Sequence, residues 1–355
     1  MKQVTKLSFK GQSIYVGMDV HKKSWKVSLF TDTFELRTMS IPPSVEVLKC
    51  YLHKMYPEAT YYSVYEAGYC GYWIHEKLQK EGIFNIIVNA ADVPTTDKEK
   101  KRKTDPVDSR KLGRSLRSGE LKSIYIPSEI KQNDRLLVRS RHDNVKKQTR
   151  CKNQIKSVLN FFGIFISDEK IKTHWSKAYI QWLKSLCNDT SGRSIKLKTL
   201  ITELEYFRKT ISDLTKSIRA LSLDPAYKKY VKLLTTIPGI STLTAMIILT
   251  EFGDMKIYSS LNKLSSYVGL IPDEHTSSDN EKRYGVTKRG NRYLRKALLE
   301  SSWVAIRKDP SLTLSYRNYL KRTIAVKSII KIARKLLNRI RYVLITEKEY
   351  QLLKP

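Results

Sequence analysis

The chain has 355 residues, long enough for two or three domains that each bury a core. Its 66 Lys and Arg outnumber 34 Asp and Glu to give a formal charge of +32, a self-repulsion that calls for a polyanionic partner, nucleic acid ahead of an acidic membrane surface. No apolar run nears the roughly 20 residues of a membrane span, MKQVTKLSFKGQS lacks a signal-peptide core, and Cys50, Cys70, Cys151 and Cys187 are too scattered for a zinc site or disulfide framework, which points to a soluble, cytoplasmic, nucleoid-associated protein.

The first third alternates strand and helix patterns. Ile14 to Met18, Lys26 to Phe30 and Glu35 to Ile41 read as an antiparallel meander, and Val45 to Met55 follows with helical spacing. Thr60 to Tyr65 is rich in β-formers, Tyr72 to Glu81 reads as a helix, Asn85 to Asn89 as a strand, and another helix begins near Asp105. The order βββαβαβ plus a helix is that of the RNase H-like (RuvC-like) fold. Fold order alone fixes no activity.

The carboxylates add chemistry to that order. Asp19 is expected after the first strand, Glu66 after the fourth, and Asp105 and Asp108 at the start of the helix in KRKTDPVDSRKLGR. Strand ends of this fold lie together, so four residues far apart in sequence can converge. Carboxylate oxygens are the hard ligands that Mg²⁺ or Mn²⁺ prefers, and such ions stabilise the attacking and leaving oxygens of a phosphodiester displacement. Lys101, Arg102, Lys103, Arg110 and Arg114 would form a phosphate-holding rim around them. The same stretch also reads as a plain helix start, with an Asp N-cap, Pro at the first helical position and an acid in the first turn. Asp19 and Glu66 also fit as turn residues, and His21 and His75 are not expected to be ligands.

From Ile130 to Phe162 the chain is basic and helical, with Arg135, Arg139, Arg141, Lys146, Lys147, Arg150, Lys152 and Lys156 at polar positions suited to phosphates. Leu197, Leu200, Leu204, Phe207, Ile211, Leu214, Ile218 and Leu221 then recur at spacings of three and four, the pattern of a coiled-coil arm formed within the chain or across a dimer. Three domains are expected, 1–125, 126–228 and 229–355: an α/β metal domain, basic helices with the arm, and a mainly helical C-terminal domain. In the last, Pro238-Gly239 sits in a helix-hairpin-helix-like turn. Asp273 to Asn280 reads as a polar loop carrying Ser277 and Ser278, followed by Lys282, Arg283, Lys288, Arg289 and Arg292. Serine is a weak nucleophile unless a base or metal activates it. The amphipathic stretch Ile324 to Ile345 is expected to pack its apolar face and offer its basic face to phosphates.

The segments YVGMDVHKKSWKVSLF, YEAGYCGYW, KTDPVDSRKLGR, LLTTIPGISTLTAMIILTEFGD and LSSYVGLIPDEHTSSDNEKRYGVTKRGNRYLRKAL, in that order, resemble the transposases of insertion-sequence family one-ten. These bridge-RNA-guided recombinases are related to the Piv-type DNA invertases. The resemblance implies a RuvC-like domain with a D-E-D-D tetrad at Asp19, Glu66, Asp105 and Asp108, a coiled-coil linker, and a transposase domain with a nucleophilic serine. That serine falls five positions after the proline of G-L-x-P, on Ser277; Ser278 stands where family members often have glycine.

The resemblance further implies a phosphoserine intermediate formed with Mg²⁺ (or Mn²⁺), a guide non-coding RNA pairing with donor and target double-stranded DNA, a homodimer on each DNA and a tetramer in the synapse. The alternative is a RuvC-like nuclease that cuts Holliday junctions with water, for which Ser277 is incidental.

Overall fold

The computed structural model describes residues 8–96, 104–166, 174–277, 280–287 and 289–352, and for 273–284 the backbone alone. Lys101, Arg102, Lys103, Ser278 and Lys288 lie outside the described residues. The chain divides into two compact units, residues 1–126 and 127–355.

In the first unit, β1 (Ser13–Val20), β2 (Trp25–Phe30) and β3 (Glu35–Ile41) form an antiparallel meander, while β4 (Thr60–Glu66) and β5 (Phe84–Val88) add in parallel on the other side of β1. The sheet order is β3-β2-β1-β4-β5. Parallel neighbours need crossovers, supplied by α1 (Val45–Met55) and α2 (Trp73–Lys80). Side chains alternate across a strand, so Ile14, Val16 and Met18 pack on one face with Leu48 and Leu52 of α1 and Ile74 and Leu78 of α2. The opposite face carries α3 (Asp105–Arg117), whose Leu112 packs with Val64 and Val88. This mixed architecture is consistent with an RNase H-like domain.

Two details differ from the sequence reading. Asp19 lies within β1 rather than after it, paired with Lys26 of β2, and Glu66 is the last residue of β4. Thr104, not Asp105, is the N-cap of α3 and makes no side-chain capping bond; Asp105 is already helical. The capping explanation for that aspartate is thereby removed.

The second unit is helical apart from one hairpin among the described residues. Its long helices α4 (Glu129–Phe161) and α6 (Gly192–Leu221) pack together with the short α5 (Lys177–Ser185). Leu197, Leu200 and Leu204 of the heptad face are buried with Cys151, Ile155 and Leu159 of α4 and Leu183 of α5. Those three positions are covered within the chain.

Further on come α7 (Pro225–Thr235), α8 (Thr242–Phe252), α9 (Leu261–Val268), the hairpin β6 (Pro272–Ser277) and β7 (Asn280–Val286), then α10 (Arg292–Lys308), α11 (Pro310–Leu320) and α12 (Ala325–Thr346). Val138 of α4 and Ile218 of α6 share one core with these helices. Between α7 and α8, Gly239 has φ +92°, and a Cβ there would lie 2.5 Å from the Ser301 carbonyl oxygen of α10. The glycine of that turn therefore serves close helix packing.

Candidate functional site

The register of β1 and β4 sets Met18 beside Tyr65, which brings Asp19 level with Glu66 on the neighbouring strand. Both lie on the α3 side: Asp19 shares a face with Gly17, which touches α3, and Glu66 with Val64, which packs on Leu112. The first turn of α3 contributes Asp105 and Asp108. His21 Nε2 is 3.2 Å from Asp19 Oδ2 and 3.9 Å from Asp105 Oδ2. Lys111 Nζ is 3.3 Å from Asp108 Oδ1 and 3.5 Å from Glu66 Oε1. The four acids thus meet in two linked pairs, one joined by an imidazole and one by an ammonium.

Asp19, His21 and Asp105 each offer a ligand atom within 4.8 Å of the others. Burial pushes the Asp19 carboxyl above its ordinary value; His21 beside it pulls the other way, and Asp105 and Asp108 add to the rise. Like charges crowded so are what a cation relieves. The carboxylates are the oxygen ligands that Mg²⁺ or Mn²⁺ prefers, with the imidazole the poorer donor for either, so the acidic set fits a divalent ion. His21, set aside as a ligand in the sequence, thus lies within ligand distance of both aspartates, whereas His75 bonds Asn85 through Nδ1 at 2.8 Å.

Close backbone packing fixes α3 over these strands. A Cβ on Gly17 would stand 2.1 Å from Ser109 O and 2.2 Å from Gly113 N, so α3 lies flush on β1. A buried hydroxyl pair, Ser28 Oγ and Ser109 Oγ at 2.8 Å, ties the same turn to β2. Lys111 and Gly17 are the functional positions that sequence reasoning missed. The (i, i+3) spacing of Asp108 and Lys111 was a local signal for the first, and for the second the lone glycine within an apolar strand, which marks close backbone approach.

Ser277 ends β6 and pairs with Asn280 of β7. The stretch read as a polar loop is therefore an antiparallel hairpin. Its base is held by Thr287 N donating to Ile271 O and Asn291 N to Tyr267 O. Behind it stands Glu251, its side chain fully buried, accepting from Arg139 Nε at 2.6 Å and Nη2 at 2.7 Å and from Asn291 Nδ2 at 2.7 Å. Tyr267 Oη also donates to Glu251 O. The carboxylate joins α4 to the segment after the serine hairpin, and the backbone carbonyl of the same residue holds the segment before it.

Comparison with known proteins gives this arrangement a family. A profile described as "Transposase" (DEDD_Tnp_IS110) matches residues 16–164, and one described as "Transposase IS116/IS110/IS902 family" matches 231–317, together about two thirds of the chain. The chain belongs to the IS110 family of transposases. The y4qE protein of Sinorhizobium fredii is 28% identical over 68% of this chain and 58% of its own length. The transposase for insertion sequence element IS1111A of Coxiella burnetii is 24% identical over 59% of this chain and 56% of its own. For the IS1533 transposase of Leptospira borgpetersenii the identity is 25%, covering 69% of this chain and 71% of the relative. The chain thus spans less than three fifths of the length of the first and second of these.

The basic residues of this IS110-family chain divide by what they already bond. Arg110 pairs with Glu35 Oε1 at 2.8 Å and donates to Thr38, which turns it onto β3. Arg114 and Arg289 are exposed. Arg292, also on the surface of the second unit, lies over the Tyr293 ring. Lys282 and Arg283 stand on β7. On α4, Arg135, Arg139 and Arg141 bond Thr250 O, Glu251 and Thr215 Oγ1, whereas Lys146, Lys147, Arg150 and Lys156 are exposed. Three arginines expected to meet phosphate therefore serve the fold. No described helix is long and apolar enough to cross a membrane.

Proposed function

We propose that this chain is the DNA transposase and recombinase of an insertion sequence, which cuts and exchanges strands through Ser277 with a divalent ion at Asp19, Glu66, Asp105 and Asp108. The observation that carries the reading is the meeting of Asp19, Asp105 and His21 within 4.8 Å from two distant parts of the chain, in a protein of net charge +32. Mg²⁺ or Mn²⁺, when bound, supplies charge stabilisation at the scissile phosphate. The aspartates would hold it, with His21 orienting Asp19 and Asp105 and Lys111 keeping Glu66 beside Asp108.

Ser277 contributes the attacking oxygen. Its Oγ forms a P–O bond as the phosphodiester P–O bond breaks; the serine proton is lost and the departing hydroxyl gains one. One ester replaces another, so the strand can be rejoined without an external energy source. Lys282, Arg283, Lys288, Arg289 and Arg292 follow the serine closely and would hold phosphates near it, as Lys101, Arg102, Lys103, Arg110 and Arg114 would near the acids. A structured guide RNA, read by shape and phosphates while base pairing selects donor and target, accounts for positive charge beyond one duplex contact. A homodimer on each duplex would pair into a tetramer for exchange.

A second reading has its own support. The acidic corner is complete within the first unit, as a nuclease using water would require. Incubation with RNA transcribed from the flanking element DNA, Mg²⁺ and a donor duplex separates the two. Under the recombinase reading mass spectrometry finds a covalent DNA adduct on Ser277, and both Ser277→Ala and Asp105→Asn lose strand cleavage. Cleavage retained by Ser277→Ala would establish the nuclease instead.

A further inference from the structure

The C-terminal helix α12, whose basic face the sequence offers to phosphates, carries a cleft that neither the acidic corner nor the serine hairpin uses. It has a volume of about 430 Å³ and is lined by Tyr319 of α11 together with Lys331, Arg334, Lys335, Asn338 and Arg339 of α12, with Leu261 of α9 at its edge. The α12 residues recur at i, i+3, i+4, i+7 and i+8, which is one face of a helix. Lys331 and Lys335 lie over the Tyr319 ring at 5.0 and 5.9 Å. Arg334 donates to Asn262 Oδ1 at 2.5 Å and Lys335 to Ser315 Oγ at 3.1 Å, neutral partners that leave both charges uncompensated. Arg339 alone is neutralised, by Asp309, which Tyr350 also bonds at 3.0 Å. Four cations thus line the cleft while no carboxylate among the described residues does.

Like charges at (i, i+4) on a helix repel, so this face is destabilised until an anion binds it. Its shape selects the anion. A duplex offers grooves that accept a protruding helix, whereas this surface is concave with an aromatic ring inside. From Lys331 to Arg339 the helix rises about 12 Å, long enough to meet successive phosphates of one strand. We propose that this cleft binds an unpaired nucleic-acid strand, with Lys331, Arg334 and Lys335 on successive phosphates and Tyr319 stacked on a base. The site rests on its own chemistry and does not depend on the acidic corner or on Ser277.

The test uses the full chain and labelled short oligothymidylate, oligouridylate and a mixed-sequence duplex, titrated at several salt concentrations. Tyr319→Ala should weaken single-strand binding about tenfold or more, as loss of one stacked base does, while Tyr319→Phe keeps it. Lys331→Gln, Arg334→Gln and Lys335→Gln combined should flatten the salt dependence by about two, three single-strand phosphate contacts at roughly 0.7 each. Duplex affinity should change less than twofold, and unchanged thermal unfolding shows the variants folded. Strand affinity and salt slope equal to wild type in the triple variant would overturn the proposal, as would an equal loss on duplex and single strand. Strand affinity is read without divalent ions and the transposase reading by the Ser277 adduct, so a failure of one reading and a failure of the other give different results.

Discussion

Lys111 reaches Asp108 Oδ1 at 3.3 Å from one helical turn away, and its side chain is only 8% exposed. The same ammonium lies 3.5 Å from Glu66, so one cation bridges two of the four carboxylates and offsets one of their two charges. Divalent-ion stoichiometry should follow. Calorimetric titration with Mn²⁺ should give one ion per wild-type chain. Lys111→Met, which leaves Glu66 and Asp108 facing each other uncompensated, should admit a second ion and lower metal-free stability by about 1 to 3 kcal/mol. Two ions in the wild type would show that the lysine swings away when metal binds.

The contact of Gly17 with Ser109 and Gly113 predicts a positional effect distant from any charge. A methyl placed 2.1 Å from a carbonyl oxygen cannot be absorbed by a side-chain rotation, so Gly17→Ala must lift α3 off β1 and carry Asp105 and Asp108 away from Asp19. Overpacking of this kind costs about 1 to 3 kcal/mol. A displacement near 1 Å lowers a positioned reaction about a hundredfold. Gly192→Ala, where a Cβ meets nothing within 4 Å, is the control and should leave unfolding and strand cleavage unchanged.

Asp19 sets a pH-dependent prediction for the metal-free protein. Its carboxyl is raised in the folded state, so between the unfolded value near 3.8 and the folded value the native chain binds more protons than the unfolded one, and stability falls as pH rises through that window. At neutral pH the whole penalty is present. Asp19→Asn should therefore unfold at a higher temperature than wild type in EDTA near pH 7, and the difference should vanish by pH 3. Saturating Mg²⁺ or Mn²⁺ should reverse the order, since an ion at a hundred times its Kd adds about 2.7 kcal/mol to the wild type. Equal melting curves in EDTA near pH 7 would contradict the burial that raises the Asp19 carboxyl.

The elements legible in the sequence were those whose local pattern and tertiary role agree. The five central strands and α1 alternate or repeat as their buried faces demand, and the acids at the α3 side of β1 and β4 followed from that order. The hairpin β6 and β7 was not legible because PDEHTS and NEKRYGV carry no apolar alternation. Arg139 looked like a solvent-facing cation because its partner lies 112 residues further on. His21 looked incidental because its approach to Asp105 is made by folding and leaves no trace in spacing.

That distant partner supports a final prediction. Glu251 is fully buried while holding Arg139 and Asn291, so Glu251→Ala strands a half-buried guanidinium and frees the base of the serine hairpin. Breaking one side of such a pair costs about 3 to 5 kcal/mol, whereas replacing both charges by apolar residues is often neutral. Urea unfolding should show a large loss for Glu251→Ala and recovery of most of it in the double variant Arg139→Met, Glu251→Met. If the pair serves only the fold, the recovered variant forms the Ser277 adduct at the wild-type rate. If the pair also positions the hairpin, stability returns but adduct formation does not, because methionine cannot accept the Asn291 bond that fixes where the strand after Ser277 ends.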